Sequence, residues 1–483
     1  MIPLLGGLLA ISFPERQVGA AAAVMTLVQV GFLTPVLARF DTASGLQQSV
    51  DKPWISQIGV HYSLGLDGLS VFLVALTVLA WVVATVAASR REIDRPRLFY
   101  AMLALAEVGT LGAFMAQDLI LFILFFDLLL IPFYLLIGMW GSGDRRAATT
   151  KFVIYTLAGS LLMFAAAIAL GQASAVQNGT PISFLFSDLL ANPVSAGTQN
   201  WIFAGFAIGL LVKMPLPPLH GWMADTYRAA PLTVLLPLSA VVAKLGAYGF
   251  LRIVLPQLPA ASQHFQALML VVALIGIIYG SVMAFSQDDT RLVVGYSSIA
   301  QIGFIALGIF SLDAKGAQGA ILQMINHGVV VIGLFLVIGF LAERTGGDSL
   351  SRMAGVAKNA PILAALFLVI SLATLAMPGS ANFVGELYIL FGAFDNAFVY
   401  GAVATVGVAL AAVYMIRFFQ RAMHGHGRGE AHSLELDRAE LGLLLPAVLI
   451  TLALAVYPQF VVEKISPAAD TALTTIQLQE KAR

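Results

Sequence analysis

The 483-residue chain contains no cysteine. Without thiolates it cannot hold an iron–sulfur cluster through cysteine or run a thiol couple, so if it serves a redox machine it does not carry the electrons. Charge is scarce as well: Asp, Glu, Lys and Arg make up 11% of the residues, against about 25% in a typical soluble domain. Neither sign is in excess, with 26 basic and 26 acidic side chains, which leaves no global basic surplus for nucleic acid. Phosphate-cradling glycine loops, nucleophile triads and metal-ligand clusters are missing from the sequence too. His424, His426 and His432 share one loop, and they read as a solvated His-rich connection rather than a metal site.

What the chain has in quantity is apolar length. It is 59% hydrophobic with a mean hydropathy of +0.90, which excludes a soluble globular protein. At about 20 apolar residues per crossing, its length holds roughly 12 to 15 transmembrane helices. The apolar runs predict fourteen, at 2–13, 18–38, 69–89, 98–116, 119–140, 152–171, 201–219, 230–253, 264–285, 292–311, 317–342, 361–394, 400–420 and 441–462. The first is short, but no positive segment precedes it, so it reads as a helix rather than a signal-peptide core. The seventh span is interrupted by Met214 and Pro215, and the twelfth by Met377, Pro378 and Gly379, so both are expected to be broken helices.

Loop charge orients the chain. Sixteen Lys and Arg fall in one set of alternate loops, seven in the other set and the tail, and Lys213, Lys244 and Arg417 lie inside spans. Because cytoplasmic loops carry the excess of Lys and Arg, an even number of spans puts both termini on the non-cytoplasmic side. The two halves also echo each other: Lys213-Met-Pro in one and Ala376-Met-Pro in the other break a helix beside an ionisable group, Lys213 or Glu386. Paired broken helices in corresponding halves point to a transporter repeat with its site near the midplane.

A charge at the bilayer centre costs at least ~2.5–3.5 kcal/mol, so each ionisable residue inside a span needs a reason. The acids are Glu107, Asp127 and Glu386, the bases Lys213, Lys244 and Arg417, and the imidazoles His220 and His327. For each, a buried ion pair or hydrogen bond that braces helices is the plain alternative to a functional role. Asp127 needs a cation and Lys213 an anion, and a pair that opens and closes makes a switch for protons. Lys244 stands among Ala243, Gly246 and Ala247, which leave room for water, and a desolvated lysine can give up its proton. His327 can relay a proton through its two ring nitrogens, and Glu386, beyond the Pro378 break, reads as a terminal carboxylate open to water. Glu107 and Arg417 read as structural.

Several stretches together match a known family: YSLGLDGLS at 62–70, DLILF at 118–122 through Trp140 and Gly141, and VKMPLPPLHGW at 212–222. Others are Lys244 to Arg252, GYSSI at 295–299, His327 and Gly328, Met377 to Glu386, and YPQF at 457–460. From about residue 60 to 460 the chain resembles the antiporter-like subunits of proton-pumping NADH:quinone oxidoreductase, respiratory complex I. The glutamate on the twelfth helix is similar to the subunit M branch rather than to subunit L.

The resemblance implies an all-α polytopic membrane protein of about 14 helices, with two inverted five-helix repeats and broken helices 7 and 12. It divides the chain into N-terminal helices 1–97, a first repeat 98–253, a second repeat 264–422, and a connecting segment, last helix and tail 423–483. It further implies proton transfer by Asp127, Lys213, Lys244, His327 and Glu386, as the carboxylate–lysine pair, central lysine, relay histidine and exit glutamate. Two positions depart from the family: Asp127 stands where Glu is usual, and Gln301 where His is frequent. The chain itself is expected to bind no cofactor and no metal. The parent complex is expected to use NADH or another donor, quinone, iron–sulfur clusters and, as a further option, flavin. Its expected partners are other membrane-arm subunits, neighbouring antiporter-like subunits above all, together with lipid and protons. The expected location is the bacterial inner membrane, with the thylakoid as the alternative. The competing reading is a subunit of a multisubunit sodium/proton antiporter or of a membrane-bound hydrogenase.

Overall fold

The computed structural model describes residues 2–42, 45–425 and 435–481. Its helices follow the apolar runs. They are α1 (Ile2–Ile11), α2 (Glu15–Ala38), α3 (Val71–Ser89), α4 (Pro96–Met115), α5 (Leu119–Trp140), α6 (Arg145–Asn178), α7 (Ala196–Lys213) and α8 (Leu232–Gln257). They continue as α9 (Gln266–Ser286), α10 (Thr290–Phe310), α11 (Ala314–Thr345), α12 (Pro361–Thr374), α13 (Ala381–Asn396), α14 (Phe398–Met423), α15 (Arg438–Val456) and α16 (Gln459–Lys481). Among the described residues, 11 helices are long and apolar enough to cross a membrane. The short α1, the interrupted α7 and the α12–α13 pair occupy the three other predicted positions.

Helix starts explain much of the chain's small stock of acids. The side chains of Asp118, Asp144, Asp289, Asp313 and Asp437 accept backbone N–H bonds at the first turns of α5, α6, α10, α11 and α15. α6 is longer than its apolar window because polar turns extend it at both ends, until Gly179 closes it at φ +66°.

Burial sorts the helices into a centre and a rim. The most apolar windows of α8, α10 and α11 are wholly buried, whereas α2, α6, α14 and α15 expose most of theirs. Apolar side chains such as Ile154, Leu161 and Val406 point outward, as expected of a surface that meets lipid.

Besides short helices at Phe186–Ala191, Met223–Ala229 and Pro259–His264, a hairpin and a C-terminal helix have no counterpart among the predicted spans. A hairpin of β1 (Gln47–Ile55) and β2 (Val60–Leu66), antiparallel with Lys52 opposite Tyr62, caps one face. It is fixed there by the His61 N–H, which donates to Asp118 Oδ2 at 3.0 Å. The segment read as a tail forms α16, bound to the same face by Lys464 Nζ on the Phe40 carbonyl (3.3 Å) and Thr475 on the Pro256 carbonyl (3.3 Å). The opposite face is laced by Arg90–Asp437 (2.6 Å), Arg344–Glu440 (2.5 Å), Arg291–Asp348 (3.0 Å) and Lys151–Asp225 (2.8 Å). All four of these cations belong to the Arg- and Lys-rich set of loops. Arg252 is a correction: counted with a loop, it lies inside α8 and pairs with Asp67 at 2.5 Å.

Candidate functional site

The seventh and twelfth helices break where the prolines stand, and each break places an ionisable group. Lys213 is the last residue of α7. Pro215, Pro217 and Pro218 cannot donate N–H bonds to continue the helix, so carbonyls at its end need other donors. Trp222 Nε1 donates to the Val212 carbonyl at 2.9 Å, and the Leu216 N–H to the Leu211 carbonyl at 3.3 Å. In the other half, Ala376 and Gly379 adopt φ +52° and +89° across the gap, α13 resumes at Ala381, and Asn326 of α11 donates to the Ala381 carbonyl at 2.7 Å. Glu386 lies in the second turn after that gap and is 2% exposed, so it is buried by the neighbouring helices rather than open to water as its sequence position suggested.

Asp127 belongs to α5, which is interrupted at Leu129 because Pro132 cannot donate to the Leu128 carbonyl. Its half-buried carboxylate has the Ser160 hydroxyl of α6 beside it and Lys213 within electrostatic range. The two do not close an ion pair; the Lys213 ammonium instead sits over the Phe126 ring, 4.4 Å from its centroid.

Lys244 is fully buried, and its helix changes form around it. α8 is π-helical at Leu238–Val242 and again at Phe250–Val254, with one α-helical turn, Lys244–Gly249, between. In the first widened turn the Ala243 N–H reaches back to the Leu238 carbonyl at 3.1 Å, which deprives the Ser239 carbonyl of its usual α-helical donor. Lys244 Nζ fills that place at 2.8 Å. The central cation is therefore held by a carbonyl rather than a carboxylate. Gly246 lets α8 approach the end of α7, since a Cβ there would lie 2.5 Å from the Leu210 carbonyl and collide with Met214, so the space that the sequence suggested for water at this glycine is filled by α7.

His327 comes next. At its neighbour Gly328, an added Cβ would come 2.9 Å from the Ala240 carbonyl, so α11 lies directly against the widened turn. His327 is thereby within electrostatic range of Lys244, and its Nδ1 has no partner in the protein. One helical turn earlier, Gln323 Nε2 donates to Gln301 Oε1 at 2.5 Å, and Gln301 Nε2 donates to Glu386 Oε1 at 2.7 Å.

The structure thus arrays Asp127, Lys213, Lys244, His327 and Glu386 along α5, α7, α8, α11 and α13, and leaves other intramembrane groups aside. Glu107 accepts from Gln29 at 3.3 Å among the first four helices. Arg417 stacks on Phe285 at 4.3 Å, and His220 bonds the Tyr279 hydroxyl at 3.0 Å. His424 packs edge-on against Phe419, while His426 and His432 lie outside the described residues. Sequence reasoning missed Gln323, although its place one turn before His327 on a helix was a usable signal. It also missed Tyr414, a buried hydroxyl on α14.

The family described as NADH:quinone oxidoreductase/Mrp antiporter, TM, matches residues 116–411. The chain is similar to NADH-quinone oxidoreductase subunit M of Escherichia coli (strain K12), 38% identical over 440 residues that cover 89% of this chain and 84% of that protein. It is also 36% identical to the subunit M of Mycobacterium tuberculosis (strain ATCC 25618 / H37Rv) over 526 residues, 100% of this chain and 94% of the relative. Its fold matches a chain of respiratory complex I from Thermus thermophilus with bound NADH at a TM-score of 0.89 and 31% identity, over 98% of each. A chain of the Mrp complex from Dietzia sp. DQ12-45-1b shares the fold at a TM-score of 0.83 and 21% identity, over 98% of this chain and 51% of that one.

Proposed function

The chain belongs to the subunit M family of NADH-quinone oxidoreductase, the antiporter-like membrane subunits of complex I, and on that premise we propose how its own residues move protons. It is a polytopic membrane protein of a bacterial respiratory complex and works with other membrane-arm subunits. In our reading a proton enters at the Asp127–Lys213 pair, passes to Lys244, crosses by His327 and leaves from Glu386. Opening and closing of the Asp127–Lys213 pair would change the field at Lys244, and a stored charge there would be released toward His327.

The observation that carries this reading is Lys244. A fully buried ammonium is costly unless it is paired or has work to do. Here a single backbone carbonyl, freed by a π-helical turn, holds it, and such turns are frequent at functional sites.

Around this core we further propose two inverted repeats, 98–253 and 264–422, because the broken helix is the fourth in each. The chain would carry no redox centre and bind no cofactor, with NADH, quinone, iron–sulfur clusters and flavin handled by other subunits of the complex. Its immediate neighbours would be further antiporter-like subunits. Both termini would face away from the cytoplasm, in keeping with the Arg-rich loops gathered on one face. A reporter fused after Arg483 should be active only in the non-cytoplasmic compartment, and cytoplasmic activity would refute that orientation.

The reading is tested on vesicles holding the intact complex with Lys244→Met. NADH oxidation should then drive only a small fraction of normal proton uptake while the complex still assembles. Normal uptake would exclude Lys244 from the path.

A further inference from the structure

Glu386 is held by one oxygen only. Its Oε1 accepts from Gln301 at 2.7 Å and from Gln323 at 3.4 Å, whereas its buried Oε2 has no protein partner. Neither carboxamide ionises near neutral pH, so the Gln301–Gln323 bridge orients the carboxyl without acting as its proton donor or acceptor. A proton reaching or leaving this carboxyl does so at Oε2.

A buried hydroxyl within electrostatic range of Glu386 belongs to Tyr414 of α14. Tyr414 is 1% exposed, interacts electrostatically with Glu386, and its Oη makes no hydrogen bond within the protein. A buried tyrosine hydroxyl usually finds a partner, because leaving it unmade costs free energy. Asn382, one turn before Glu386 on the same helix, has both amide atoms unpartnered as well. These groups lie beyond direct hydrogen-bond distance of one another in a polar environment, the setting in which a water bridges two partners.

Building on the proposed exit at Glu386, we infer that Tyr414 is a proton-relay residue for it, acting through one bridging water at Oε2. The balance needs no tyrosinate. As Glu386 Oε2 releases its proton to the bridging water, that water passes one of its own protons to a lone pair of Tyr414 Oη, and Oη releases the proton it carried to a further water on the exit side. Water and hydroxyl are both restored, and the carboxylate left behind is reprotonated along the path from His327. Tyr414 supplies on α14 the exchangeable group that Gln301 lacks.

Tyr414→Phe in the intact complex separates a relay from a structural hydroxyl. The ring stays, and the hydroxyl removed has no partner in the fold, so assembly and thermal stability should be unchanged or slightly improved. Proton uptake per NADH oxidised in vesicles should fall roughly fivefold, the effect of losing one hydrogen-bonding step. The carboxylic C=O infrared band that disappears in Glu386→Gln should also shift in Tyr414→Phe. Undiminished uptake, an unmoved band, or failure to assemble would each overturn the inference. If Glu386→Gln itself pumps normally, the exit reading falls; if Glu386→Gln fails to pump but Tyr414→Phe does not, only this inference falls.

Discussion

At the end of α7 a cation occupies the last helical turn with an aromatic ring beneath it, while after the α12 gap a carboxyl group occupies the second turn and amides hold it. Proline makes both interruptions, and a side chain from elsewhere bonds the backbone beside each: Trp222 donates to the Val212 carbonyl, which the proline break leaves without a helical donor, and Asn326 donates to the Ala381 carbonyl in the first turn of α13. The difference lies in freedom. Lys213 faces a ring and an acid it does not touch, so it can change partner at little cost. Glu386 has one oxygen fixed and one free, so it can change protonation without moving. The first break is built to switch and the second to exchange.

The sharpest way to break this comparison is to remove the switch. Asp127→Asn should cut NADH-driven proton uptake by about tenfold or more with the complex still assembled, because Lys213 loses the charge that draws it. Asp127→Glu lengthens the acid toward Lys213 and should retain uptake. Asp127→Asn complexes that pump at the normal rate would refute the coupling.

The fixed half is probed by Gln301→Leu. Glu386 Oε1 would then lose its nearer protein donor, and Gln323 its nearer acceptor. We expect about 1–3 kcal/mol of destabilisation, the cost of buried polar groups left unmade, read as a lower unfolding temperature of the purified complex. An unchanged temperature would show that the clamp does not hold Glu386.

Where the two halves meet, Gly246→Ala sets a methyl against the Leu210 carbonyl and Met214. A loss of about 1–3 kcal/mol is expected from such overpacking, with Lys213 and Lys244 driven apart. The smallest effect should come from Ser160→Ala, which takes a hydroxyl from beside the half-buried Asp127. Less than about 1 kcal/mol of stability and a modest change in uptake are expected, measured in the same two assays.

The sequence made the broken helices legible because proline and glycine act locally, and it made the intramembrane charges legible because lipid excludes charge. The four cations that pair across one face belong to the set of loops that the sequence marks as rich in Arg and Lys. Other features depend on contacts that no local pattern encodes. The widened turns around Lys244 arise where α8 is buried on every side, and nothing in VVAKLGAYGF marks a shift from i+4 to i+5 bonding. The hairpin 47–66 escaped because β1 carries mostly exposed, mixed residues without period-two alternation. The helix Gln459–Lys481 is too polar to register as a span, and its burial against the α8 end is a tertiary fact. Arg252 was counted with a loop because it stands one residue from the end of the predicted span 230–253, and its pairing with Asp67, 185 residues away, is a tertiary contact.

The role of Lys244 as a carrier is tested most directly by Lys244→Arg. Arginine keeps the charge and can still donate to the Ser239 carbonyl, but it does not deprotonate in proteins. We expect the complex to assemble and NADH-driven proton uptake in vesicles to fall to a small fraction of normal. Uptake as high as in the unsubstituted complex would contradict a carrier role and leave Lys244 as a brace between helices.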